Sequence, residues 1–154
     1  MNEFLKAAIE EAIYGVENNH GGPFGAVVVR EGKIIARGHN KVILNNDPTD
    51  HAEMIAIRDA AGKLGRFDLS DCELYTSCEP CPMCFSAIYW AKIPKVYYGC
   101  TREDAAQIGF DDNYIYEVIM GATSDKRAEF RQMGRELCLG VFEQWKNKDG
   151  KRHY

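Results

Sequence analysis

The chain has 154 residues, of which 45% are hydrophobic, 27% charged and 11% aromatic, the balance of one soluble globular domain and not of a fibre or a disordered tail. At this length about 69% of the unfolded surface can be buried, so the core needs no disulfide framework. Nineteen basic against 23 acidic residues give a net charge of −4, without the positive field that non-specific binding of a phosphate backbone requires.

No stretch is apolar over the roughly eighteen residues that a membrane span needs, and Glu3, Lys6, Glu10 and Glu11 interrupt the first positions, unlike a signal peptide. The expectation is a cytoplasmic protein with no membrane partner. In a reducing compartment, clustered cysteines read as metal-binding or catalytic. Cys78, Cys81 and Cys84 cluster, whereas Cys72, Cys100 and Cys138 are isolated and are expected to be buried apolar thiols.

In chain order, Phe4, Leu5, Ala8, Ile9, Ala12, Ile13 and Val16 recur at helical spacing until Asn18, Asn19, His20, Gly21, Gly22 and Pro23 break the pattern. Ala26 to Val29 and Lys33 to Ala36 flank Glu31 and Gly32, which predicts an antiparallel hairpin ending at Gly38. After a loop at 45–50, the residues Ala52, Ile55, Ala56, Ala60 and Leu64 predict a second long helix, with Thr49 or Asp50 as N-cap and Gly65 as its stop. Glu73 to Thr76 reads as a strand, Pro82 suits the first turn of a helix reaching about Ala91, and Lys95 to Gly99 reads as another strand. Such a strand, helix, strand unit is parallel and places the helix N-terminus at the carboxyl end of the first strand, where open α/β sheets bind ligands. Beyond Gly99, Tyr114 to Ile119 fits a helix or a strand, and Phe142 to Trp145 a short helix. No repeat or linker divides the chain, so residues 1–154 read as a single domain.

His51-Ala52-Glu53 and Pro80-Cys81-Pro82-Met83-Cys84 supply three donors suited to zinc, His51, Cys81 and Cys84, with the two thiols on one helical face. Three protein ligands leave a position for water, which favours a catalytic over a structural zinc, although Cys78 is available to close the shell. A helix N-terminus lowers thiol pKa values, as thiolate ligation requires. In the first helical turn His51 and Glu53 can look past the helix end into one cavity, His51 onto the metal and Glu53 beside its water. Two thiolates cancel the charge of Zn²⁺, so a carboxylate base becomes useful. His20, His39 and His153 show no partner in the sequence and read as surface histidines.

His-x-Glu followed by Pro-Cys-x-x-Cys resembles the signature of the zinc-dependent cytidine deaminase superfamily. The segments at 21–26, 45–49, 74–80 and 109–112 extend the resemblance, which is to the bacterial guanine deaminases within it. That resemblance implies a three-layer α/β/α sandwich around a five-stranded mixed sheet, cytidine-deaminase-like, and conversion of guanine to xanthine and ammonia with one Zn²⁺ per subunit. It implies His51, Cys81 and Cys84 as ligands and Glu53 as proton shuttle. Asn40 would contact the purine edge, Phe24 would pack on the base, and Asp112 would lie near the reacting amino group. It also implies a homodimer in which a C-terminal segment, residues 140–154, is exchanged and Tyr154 caps the partner's pocket. Little of 124–139 aligns. Trp90 is a further aromatic candidate for substrate contact, and the plainer reading of both Phe24 and Trp90 is a core aromatic. Asn40 read plainly is a turn residue, and Asp112 a loop charge or a cap.

In the mechanism so implied, Glu53 takes a proton from water, passes it to ring N3 as C2 is attacked, and with Asp112 protonates the departing amino group. The alternatives are a guanosine, cytosine or cytidine aminohydrolase, then a tRNA adenosine deaminase, and from another class a zinc-stabilised interaction module. Glu103, Asp104, Asp111 and Asp112 around the motif would repel phosphates, so no nucleic-acid partner is expected.

Overall fold

In the computed structural model, which describes residues 2–125 and 127–154, the Asn2 side chain accepts from the N–H groups of Phe4 and Leu5 at 2.9 and 3.0 Å and caps helix α1, Glu3–Glu17. The buried face of α1 is made of small residues, Ala7, Ala8, Ala12 and Gly15, while Ile13 and Val16 of the apolar stripe are about half exposed. That face lets strand β1, Gly25–Arg30, come close. A Cβ at Gly25 would collide with the Ala8 carbonyl oxygen and lie 2.5 Å from the Ala12 nitrogen. The hairpin to β2, Lys33–His39, turns at Glu31 and Gly32, both at positive φ (50° and 69°), as a two-residue loop matched to strand twist requires.

Strand β3, Cys72–Cys78, pairs antiparallel with β1, and β4, Lys95–Cys100, pairs parallel with β3, giving the order β2-β1-β3-β4. Alternate side chains of β1 serve two cores. Val27 and Val29 pack with Tyr75, Ala7, Phe4 and Leu5 on the α1 side. Ala26, Val28 and Leu74 pack on the other side with Ala52, Ala56 and Ala60 of α3 (Ala52–Leu64) and Ile88 of α4 (Pro82–Trp90). The expected three layers are therefore present, with β1 buried on both faces.

Two local expectations are corrected. The sheet has four strands among the described residues, not five: residues 113–120 form a helix (called α6 below), because its apolar residues Ile115, Val118 and Ile119 repeat at three and four, and the Ile115 N–H bonds the Asp112 carbonyl at 3.0 Å. The N-cap of α3 is His51, not Thr49 or Asp50. Those two side chains are otherwise engaged: the Thr49 hydroxyl donates to Asp47, and Asp50 accepts from Asn45 and Arg58. Gly65 stops α3 at φ 65°, as expected.

The remaining elements are a short helix α2, Val42–Asn45, a helix α5, Arg102–Gln107, with a Thr101/Asp104 capping box, α6, Asn113–Met120, and α7, Arg135–Asn147, longer than the terminal helix expected at 142–145. The chain divides into two units, Met1–Tyr116 and Glu117–Tyr154. In the second, Leu137, Val141 and Phe142 are 85%, 62% and 70% exposed, so α7 carries an uncovered apolar stripe. Of the isolated cysteines only Cys72 is buried; Cys100, on the edge strand, and Cys138, on α7, are exposed. No helix among the described residues is long and apolar enough to cross a membrane.

Candidate functional site

His51 and Cys81 occupy equivalent places, each an extended N-cap with no side-chain capping bond. Both side chains are thereby released from the backbone and gather at the helix starts. Cys84, one turn into α4, completes the group: the His51 Nδ1 lies 3.4 Å from Cys81 Sγ and 3.6 Å from Cys84 Sγ. A tetrahedral zinc with ordinary Zn–S and Zn–N bonds separates such ligand atoms by about 3.5 Å. All three ligand atoms lie within 4.8 Å of one another, and no other group of this kind occurs among the described residues.

The electrostatics also fit a dication. Cys81 is held down to about 4 by a hydrogen bond from the Cys84 thiol, helped by His51, while Cys84 is pushed up by Cys81 and by burial. One thiol therefore ionises at the other's expense, a conflict that a bound cation removes. The Cys81 thiolate also raises the His51 pKa. Cys78 does not join the ligands, its Sγ lying 3.6 Å from the Thr101 carbonyl oxygen.

Glu53 is buried at 6% exposure, and burial pushes its carboxyl above the ordinary carboxylate range. The Thr76 hydroxyl donates to its Oε1 at 3.2 Å, while Oε2 lies 3.5 Å from Cys84 Sγ. Thr76, a fully buried residue of β3 that sequence reasoning did not single out, thus orients the carboxylate with Oε2 on the metal side.

A cleft of about 600 Å³ opens over this centre, within the usual range for a small-molecule site. Phe24, Asn40, His51, Glu53, Cys81 and Asp112 all line it. Asn40 is buried, and its Oδ1 accepts from the Gly22 and Val42 N–H groups at 3.3 and 3.1 Å, so its amide nitrogen is the atom left to donate. Asp112 Oδ1 is buried with no hydrogen-bond partner, and burial followed by the Cys81 charge pushes its pKa up. Asp111 lines the cleft too, while Glu103 and Asp104 do not; no Lys or Arg is among the described lining residues.

One expected residue is not brought there. Trp90 lies at the last position of α4, 64% exposed and outside the cleft lining, because the helix turns its ninth residue away from the end that carries Cys81. Tyr154 belongs to the second unit and is 71% exposed. The lining also includes residues that sequence reasoning passed over. Phe110 packs edge-on against Phe24 with ring centroids 5.0 Å apart. Glu79 accepts from the Arg102 side chain and backbone, and Arg102 stacks on Tyr116, whose hydroxyl donates to the Pro80 carbonyl. These contacts fix the turn that carries Cys81.

Of the three histidines expected at the surface, His153 is exposed, while His39 and His20 depart from expectation. His39 is buried, with Nδ1 3.0 Å from Glu11 Oε2 and Nε2 2.8 Å from His20 Nδ1. Packing of α1 and the loop after it against β2 brings together partners 28 and 19 residues apart, which no local pattern reveals. His153 lies edge-on to Trp145, within the second unit.

The chain is 49% identical to the guanine deaminase of Bacillus subtilis over 98% of this chain and 97% of that one. An X-ray structure of that protein superposes with a TM-score of 0.94, covering 100% of this chain and 99% of the other. The tRNA-specific adenosine deaminase of Aquifex aeolicus is 45% identical over 62% of each chain. A structure of guanine deaminase from Nitrosomonas europaea gives 34% identity and a TM-score of 0.66 over 71% of this chain and 64% of that one. Residues 1–100 match the cytidine and deoxycytidylate deaminase zinc-binding region. With the paired helix starts, the thiol pair and the buried glutamate in place, the chain belongs to the zinc-binding cytidine and deoxycytidylate deaminase family.

Proposed function

We propose that the protein hydrolyses guanine to xanthine and ammonia, in purine salvage or catabolism in the cytoplasm. The observation that carries this reading is the cleft's composition: a buried carboxylate beside a three-ligand zinc centre, aromatic Phe24 and Phe110, and acidic Asp111 and Asp112 with no cation among the described lining residues. Such walls suit a neutral base and disfavour a polyanion. The similarity to the Bacillus guanine deaminase over nearly the whole of both chains supports the same substrate.

His51, Cys81 and Cys84 would hold the zinc, which when bound supplies Lewis-acid activation of water. Glu53 does the proton work. With Oε1 pinned by Thr76, Oε2 takes a proton from the attacking water and delivers it to ring N3 as C2 becomes tetrahedral. Glu53 then takes the second proton from the new C2 hydroxyl and, assisted by Asp112, delivers it to the amino group, which leaves as ammonia while the C2 oxygen becomes the xanthine carbonyl. Phe24 packs on the base, and Asn40 donates its amide N–H to an acceptor on the purine edge.

The proposal includes a single deaminase domain working as a homodimer, with the 140–154 segment exchanged so that Tyr154 closes the partner's cleft. The uncovered apolar stripe of α7 supports a partner for that segment. The test is ammonia release from guanine, guanosine, adenine, cytosine, cytidine and a tRNA anticodon stem by zinc-loaded protein. Guanine should be the preferred substrate by a factor of a hundred or more; tRNA deamination without guanine turnover would reverse the reading.

A further inference from the structure

We propose that Glu11, His39 and His20 form a hydrogen-bonded positioning relay that fixes Gly21, Gly22 and Asn40 as the substrate-recognising wall of the cleft. The proposal rests on Asn40 meeting the substrate, as argued above. His39 is the last residue of β2 and directly precedes Asn40. Side chains alternate along a strand, so His39 turns to the α1 side, where Glu11 lies, and Asn40 turns into the cleft. The backbone between them cannot shift one without the other.

Both ring nitrogens of His39 are used. Glu11, also 3.9 Å from Arg37, is an acceptor when ionised, so His39 donates from Nδ1. Its Nε2 then accepts from His20 Nδ1 at 2.8 Å, with the rings only 20° from parallel. Tyr14 flanks both rings edge-on, and His39 rests against Gly15, where a Cβ would come within 2.9 Å of its ring.

His20 carries the arrangement into the cleft wall. Its backbone N–H donates to the Gly15 carbonyl, and its own carbonyl accepts from Ile43 and Leu44 at the start of α2. Gly22, two residues on, donates to Asn40 Oδ1, and a Cβ at Gly21 would collide with that same oxygen. Asn40 is held from the other side by Val42, and its backbone N–H bonds the Phe24 carbonyl. Gly21, Gly22, Asn40, Val42 and Ile43 all line the cleft. Three buried or half-buried polar groups are an expensive way to fill space, and an apolar side chain would pack as well. What they add is direction: one carboxylate and two rings satisfy one another in a single arrangement, which the backbone at His39 and His20 passes on to Asn40.

The test is a cycle on zinc-loaded protein with steady-state kinetics. His39→Leu should raise KM about tenfold, the scale of a buried hydrogen-bond partner lost, with kcat within about threefold and zinc content unchanged. His39→Gln, which can still donate to Glu11 and accept from His20, should restore KM to within about threefold of wild type. His20→Phe, at a half-buried site that tolerates an aromatic, should raise KM by a smaller factor and provides the same readout if His39→Leu does not fold. In an Asn40→Ala background neither substitution should raise KM further. Wild-type KM in both His variants, effects that multiply fully with Asn40→Ala, or a Gln variant no better than Leu would each overturn the relay. Failure of the guanine reading is separate: wild-type protein then releases no ammonia from guanine, and the cycle is run on the base it does deaminate.

Discussion

The base role proposed for Glu53 rests on a contradiction between its burial and its charge. Its carboxyl is raised by desolvation, and one oxygen is held by Thr76, so it holds a proton readily and presents it from a fixed oxygen. Glu53→Gln keeps the shape and the Thr76 bond but cannot carry a proton; guanine turnover should fall by about 10²- to 10⁴-fold with zinc retained, measured as ammonia release beside metal analysis. Asp112 makes the opposite kind of prediction. Its Oδ1 has no partner and its pKa is raised by burial, so the ionised side chain costs the fold something. Asp112→Asn should therefore leave the melting temperature equal or higher while turnover drops about tenfold or more. A lower melting temperature with unchanged kcat would make Asp112 a cap.

At the scale of elements, two glycines separate close approach from mere helix weakness. Gly25 of β1 faces the backbone of α1, and a methyl there strikes the Ala8 carbonyl and crowds Ala12. Gly25→Ala should cost about 3 kcal/mol, the upper range for overpacking, seen as a lower denaturation midpoint. Gly62 lies within α3 with nothing within 4 Å of its added Cβ. Gly62→Ala should instead stabilise by about 0.5–1 kcal/mol through helix propensity alone. The same elements set the metal centre: α3 and α4 start with residues whose side chains do no capping, and Cys81→Ala should lose zinc and activity together while the sheet, centred on β1 and β3, stays folded.

At the scale of the whole molecule, the second unit leaves Leu137, Val141 and Phe142 of α7 exposed, apolar surface of the kind that an exchanged segment would bury. A chain lacking residues 151–154 should keep zinc but lose turnover. Co-expressed with full-length Glu53→Ala, it should form mixed dimers in which one cleft has both an intact Glu53 and its partner's tail. Isolated mixed dimers should recover up to half of wild-type activity per dimer; activity no greater than either parent's would place the tail in cis. Much of this molecule was legible from the chain alone because the signals are local. His51, Glu53, Cys81 and Cys84 sit at helix starts marked by Pro82 and by apolar periodicity, and the four strands are short apolar runs between turns. The three-dimensional structure alone decided what depends on distant partners. It turned residues 113–120 into a helix, kept Trp90 out of the cleft lining, gave Glu53 its Thr76 bond, and buried His39 between Glu11 and His20. A polar side chain reads as exposed until the fold brings the group that satisfies it, and for His39 that group lies 28 residues away on another element.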